Sequence, residues 1–191
     1  MPISGASWSI LQVLPPKIKM SANANPSTPV KIAELRDSSR YRVWRHGYYR
    51  ARPWNKDQQN DFLDKLFRPK DMPDIVLREL ICSDRTEYEV FNGWQRIETI
   101  RAFFNDQIRL PPSLADVPQW RSCVPWEVKN EAGIVVDVMG GLYSSFVDEV
   151  QTRCKETTIQ ALIITGIGDE ANEEHQQSAR DLFSRYQSGM L

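Results

Sequence analysis

Apolar residues return at helical spacing in two stretches of the chain. In the first, Phe62, Leu63, Leu66 and Phe67 fall on one face, Asn55 stands ahead of them as an N-cap with Gln58 three residues on, and Arg68-Pro69 supplies the stop. Asp57, Asp61, Asp64 and Lys65 mark its outer face. In the second, Ile97, Ile100, Phe103 and Phe104 form the buried stripe and Asn105-Asp106 closes it. Between them, Ile75 to Leu77 with Leu80-Ile81, the polar turn Ser83-Asp84-Arg85, and Tyr88 to Phe91 predict two strands in a hairpin. Further on, Ile134 to Val138 predicts a strand that ends at Gly140-Gly141. Leu142, Phe146, Val150 and Cys154, spaced by four, predict a helix after it. Thr158 to Ile164 predicts a strong strand, and residues 169–186, acidic at the start, a last helix. Helices and strands alternate irregularly, which points to an α+β fold or a small mixed sheet and away from a doubly wound one.

Two stretches lack such periodicity. Residues 1–29 mix Pro, Ser, Ala and Asn and read as a disordered leader, so the domain is expected over residues 30–191. Pro111-Pro112 and Pro118 mark an irregular connection that carries Trp120 and Trp126.

With 191 residues, 41% hydrophobic and 26% charged, the chain is long enough for one domain with a real core. The formal net charge of −1 gives no global field for nucleic acid, so any such role needs a local patch. Cys82, Cys123 and Cys154 are odd in number and widely spaced, which fits neither a disulfide framework nor a zinc site. They are expected to be reduced and buried. The apolar run from Trp8 to Leu14 is too short for a membrane span and lacks the basic flank of a secretory signal. An intracellular location, in cytoplasm or nucleus, without membrane partners is the expectation.

The local patch exists. From Tyr41 to Lys56, Arg42, Arg45, Arg50 and Arg52 are interleaved with Trp44, Tyr48, Tyr49 and Trp54, without an acid. Such a segment can stack bases and neutralise phosphates, which makes Arg42, Trp44, Arg45 and Arg52 candidates for contact with DNA. The same pattern also suits a strand with a buried aromatic side and a solvated cationic side. A second constellation is Val90 to Ile97, where Gly93 lets a strand turn sharply into a helix whose first N–H groups suit a phosphate. Arg96 in the first turn offers a donor fork and Gln95 a contact to ribose or base. An ordinary strand-to-helix turn with Arg96 in solvent explains the spacing too. Gly140-Gly141 lacks the Lys-Ser/Thr of a phosphate loop, and His46 and His175 are too few for a metal centre. No metal site and no hydrolase nucleophile is expected.

Taken in order, these residues resemble a known family. Tyr48-Tyr49-Arg50-Ala51-Arg52-Pro53-Trp54 is similar to the Tyr-Gln-Arg-x-x-Val-Trp motif of the GmrSD-type restriction endonuclease N-terminal domain, of the ParB/sulfiredoxin-like superfamily. Asn92-Gly93-Trp94-Gln95-Arg96 stands where that family has Asp-Gly-Gln-Gln-Arg, and Phe183-Ser-Arg185-Tyr-Gln187-Ser-Gly189 resembles its Phe-x-Arg-x-Asn/Gln-x-Gly, in the form of fungal members. The resemblance covers about residues 41 to 191 and implies a ParB-like small mixed sheet with flanking helices. It also implies a nucleoside triphosphate held with Mg²⁺ and lined by Arg50, Gly93, Gln95, Arg96, Arg185 and Gln187.

The departures shape what to expect of the chemistry. Asn92 replaces a carboxylate that could hold a metal or orient water. Glu98, where the family usually has a small hydroxyl residue, is placed to pair with Arg96 and weaken its pull on phosphate. The chain ends directly after the last motif, so the domain is expected to be C-terminally incomplete. Nucleotide binding with weak or absent hydrolysis is therefore the leading expectation, and a degenerate DNA-binding or protein-interaction module is the alternative.

Overall fold

A computed structural model describes residues 27–43, 53–68, 72–81, 85–129 and 131–165, together with positions 177, 181 and 184. In chain order the strands are β1 (Thr28–Lys31), β2 (Tyr41–Val43), β3 (Ile75–Ile81), β4 (Thr86–Asn92), β5 (Trp126–Lys129), β6 (Val135–Met139) and β7 (Thr158–Ile164). The α-helices are α1 (Lys56–Phe67), α2 (Trp94–Phe104) and α3 (Asp148–Glu156). Five strands form one sheet in the order β1-β7-β3-β4-β2, while β5 and β6 pair as a separate hairpin. The large sheet is mixed, since β7 runs parallel to β3 and β2 parallel to β4, whereas β3 and β4 are antiparallel. The architecture is α+β, as the irregular alternation of patterns indicates.

Local chemistry explains the elements that place the site. Asn55 caps α1 by accepting from the Gln58 N–H at 2.9 Å, and the Gln58 side chain accepts from the Asn55 N–H at 3.1 Å. This reciprocal box satisfies two N–H groups that the helix cannot bond itself. The helix stops at Arg68, whose extended backbone suits the residue before a proline. Arg68 then binds Asp64 at 3.0 Å and Asp116 at 2.6 Å, tying the end of α1 to the 3₁₀ turn Pro112–Asp116. Asp116 first, then Asp64, holds the Arg68 guanidinium above its usual pKa.

Ile75 and Leu77 of β3, Val90 of β4 and Ile159 and Ala161 of β7 join the buried stripes of α1 and α2 in one core. Its centre is aromatic: Phe67 meets Trp120 at 4.9 Å and Phe103 at 5.4 Å between ring centroids, and Phe104 meets Tyr143 at 4.8 Å. Edge-to-face pairs of this kind add about 1 kcal/mol each beyond area burial. The Trp120 indole N–H donates to the Phe67 carbonyl at 2.9 Å, so its polar atom is satisfied inside that core.

Three expectations need correction or limits. Strand β1 begins at Thr28, two residues ahead of the boundary read from composition. The spacing from Leu142 to Cys154 is not one helix: Tyr143–Ser145 is a 3₁₀ turn, Phe146 and Val147 are extended, and α3 starts only at Asp148. The cause is local, because the Asp106 carboxylate accepts from the Ser144 N–H at 2.9 Å and Gly140 and Gly141 take positive φ just before. Cys123 and Cys154 are free and buried, and Cys82 lies outside the described residues. No helix among the described residues is long and apolar enough to cross a membrane.

Candidate functional site

The turn from β4 to α2 is where sequence and structure meet. Asn92 ends β4, Gly93 sits in the left-handed region at φ 95°, and Trp94 starts α2. A Cβ at Gly93 would lie 2.5 Å from Cγ2 of Ile75, so both the dihedral and the close approach to β3 require glycine. The helix is then pinned by its first residues. The Gln95 side-chain carbonyl accepts from the Trp54 N–H at 3.2 Å, which joins the start of α2 to the chain entering α1. Arg96 Nη1 donates to the carbonyl of Pro73, just before β3.

Beside Arg96 lies a groove of about 310 Å³ between α1 and the start of α2. Trp54, Phe62 and Met72 give it apolar walls, with the Trp54 and Phe62 rings 5.6 Å apart, and Gln58, Asp61, Lys65 and Arg96 supply its polar rim. Asp61 and Lys65 pair with each other at 2.7 Å. Beside this neutral pair, Arg96 is the remaining charged side chain among the lining residues. Glu98 does not pair with Arg96; its carboxylate takes Arg101 at 3.0 Å, and Arg101 lies over the Trp94 ring at 5.1 Å. Arg101 also donates to the carbonyls of Leu35 at 2.9 Å and Tyr41 at 3.0 Å, which binds α2 to the segment between β1 and β2.

Of the residues proposed to line a nucleotide, Arg96 lines this groove, while Gly93 and Gln95 belong to the adjoining turn and do not line it. Arg50, Arg185 and Gln187 lie outside the described residues. So do Trp44, Arg45 and Arg52 of the DNA patch. The fourth member of that patch, Arg42, is built into the sheet: its guanidinium pairs with Glu87 at 2.7 Å, and Tyr41 stacks on Tyr88 at 5.3 Å. Its β2 part thus follows the strand reading, with the cationic side ion-paired across strands rather than solvated. Sequence reasoning did not gather Met72, Lys65 and Asp61 into the site. Asp61 and Lys65 share one face of α1 at a spacing of four, and Met72 joins them from the segment before β3, which the linear sequence does not place there.

Comparison of the chain with models of protein families, with curated proteins and with solved structures gives no match. Among the described residues no group of three or more His, Cys, Asp or Glu could hold a metal ion.

Proposed function

We propose that the groove between α1 and α2 binds a nucleotide, with its phosphates at Arg96 and its base against Trp54. One observation carries this reading: the left-handed turn at Gly93 sets Arg96 in the first turn of α2, on the rim of a groove with an aromatic wall. A helix start attracts anions through its unbonded N–H groups and dipole, and a guanidinium adds a planar donor fork for phosphate oxygens. The resemblance to the GmrSD-type N-terminal domain supplies the ligand class, a nucleoside triphosphate with Mg²⁺. Asp61 is the one carboxylate among the lining residues, and it is already paired with Lys65. With an amide at Asn92, the reading is binding with weak or absent hydrolysis.

Thermal unfolding in the presence of each ribonucleoside triphosphate, with and without Mg²⁺, tests it. At about 100 times its dissociation constant a ligand adds about 2.7 kcal/mol, so at least one nucleotide should raise the Tm clearly. Arg96→Ala should abolish that rise while costing the unliganded fold about 1 kcal/mol, the worth of its bond to Pro73. Asn92→Asp should weaken binding without Mg²⁺ by like-charge repulsion and strengthen it with Mg²⁺, because a metal can bridge carboxylate and phosphate. No shift with any nucleotide, or a shift that survives Arg96→Ala, overturns the proposal.

A further inference from the structure

A second and larger groove, about 730 Å³, lies on the other side of α1, against the hairpin of β5 and β6. None of the residues assigned to the nucleotide lines it. Its wall is Trp126, which keeps 54% of its surface exposed. The indole is braced from behind. Gly140 has a φ of 76°, and a Cβ there would collide with Cζ3 of Trp126, so the ring occupies the space a side chain would take. Arg109 Nη1 donates to the Gly140 carbonyl and brings a cation to the same point. The opposite wall is the first turn of α1, where Lys56 is exposed and, among the described residues, has no acidic partner.

Charge and hydrogen-bonding capacity define the occupant. Glu127, the acid in the lining, is paired with Lys129 at 3.3 Å, so Lys56 and Arg109 leave the groove cationic. Gln59, Asn60 and Gln107 line it as well, and among the described residues their side-chain amides make no hydrogen bond. A braced aromatic face, two cations and several unspent amides fit a planar, polar-edged ring on an anionic backbone. An extended polypeptide would use the apolar wall but would leave both cations and the amides without a role.

We propose that this groove binds single-stranded nucleic acid, with one base stacked on Trp126, the backbone phosphates at Lys56 and Arg109, and the amides at the base edge. A duplex does not fit, because its bases are stacked on each other and cannot offer a face to Trp126. The inference is independent of the nucleotide reading. It absorbs three sequence signals that reading leaves aside: Trp126, the Gly140-Gly141 pair, and Lys56 at the end of the basic stretch.

Fluorescence anisotropy with a fluorescein-labelled oligothymidylate, measured on the full chain at low salt, tests it. With two phosphate contacts, raising monovalent salt from about 50 to about 200 mM should weaken binding about sevenfold. Trp126→Ala should weaken binding about tenfold, and Trp126→Phe should restore part of it by keeping a stacking face. Lys56→Gln changes an exposed side chain without disturbing the hairpin, and should lower affinity and flatten the salt dependence. Equal affinity for the matching duplex overturns the proposal. So does affinity unmoved by both Trp126→Ala and Lys56→Gln, or a complete lack of binding at low salt, which would leave the groove to a polypeptide.

Discussion

Gly93 carries two separate constraints, and a single substitution can tell them apart. Any L side chain pays for the left-handed φ, and a Cβ also meets Ile75 of β3. Gly93→Ala should therefore cost about 2 to 4 kcal/mol in urea unfolding, the sum of backbone strain and overpacking. In an Ile75→Ala background the clash with Cγ2 is removed while the contacts to Cβ at 3.0 Å and Cα at 3.3 Å remain, so the same substitution should cost about 1 kcal/mol less. Equal costs in both backgrounds would mean that the Ile75 Cγ2 contact contributes nothing to the requirement for this glycine. The turn itself is legible in the sequence, because Asn-Gly after an apolar strand and before a helical stripe has few other uses. Its steric partner is not legible, since Ile75 belongs to a neighbouring strand that only the sheet register brings there.

Among the elements, the rows of β3, β4 and β2 hold a feature that alternation hides. Arg78 of β3 faces Glu89 of β4 in register, and the two pair at 3.0 Å with side-chain exposures of 1% and 2%. On the same strand Glu87 takes both Arg42 and Arg85 at 2.7 Å. Removing one member of a buried pair strands a charge away from water, so Glu89→Ala should cost about 3 to 5 kcal/mol. Replacing both, as Arg78→Met with Glu89→Leu, should recover most of that stability, because desolvation of two ions largely offsets their attraction. If the double variant is as unstable as the single one, the pair does more than neutralise itself. The pattern of apolar runs around a polar turn places these strands correctly, and Ile75, Leu77 and Val90 join the core with the helices. It says nothing about the charged positions between them, because a solvated face and a buried row of ion pairs share one pattern. The spacing of four from Leu142 to Cys154 misleads for a related reason: Phe146 does reach the core, but from an extended segment held by the contact between Ser144 and Asp106.

At the level of the whole molecule, the core couples folding to alkaline pH through two buried acids. Burial first, and the neighbouring Cys123 next, push the Cys154 thiol from its ordinary 9.0 to about 12. Burial likewise raises Tyr41 from 10.0 to about 12, against the opposing pull of Arg40. A raised pKa means that the fold holds the proton more tightly than the unfolded chain does. Below about pH 9 both states keep the Cys154 proton, and stability is complete. Above it the unfolded chain releases the proton while the fold retains it, so stability falls with rising pH and the loss from this group ends near pH 12. Tyr41 adds to the decline only from about pH 10, so the first unit of the fall isolates Cys154. The urea midpoint should therefore drop between pH 9 and pH 10 in the native chain. Cys154→Ala, although less stable at neutral pH because it opens a small cavity, should show a flatter decline over that interval. A variant curve that runs parallel to the native one would assign the alkaline loss to other groups and make Cys154 a packing residue alone.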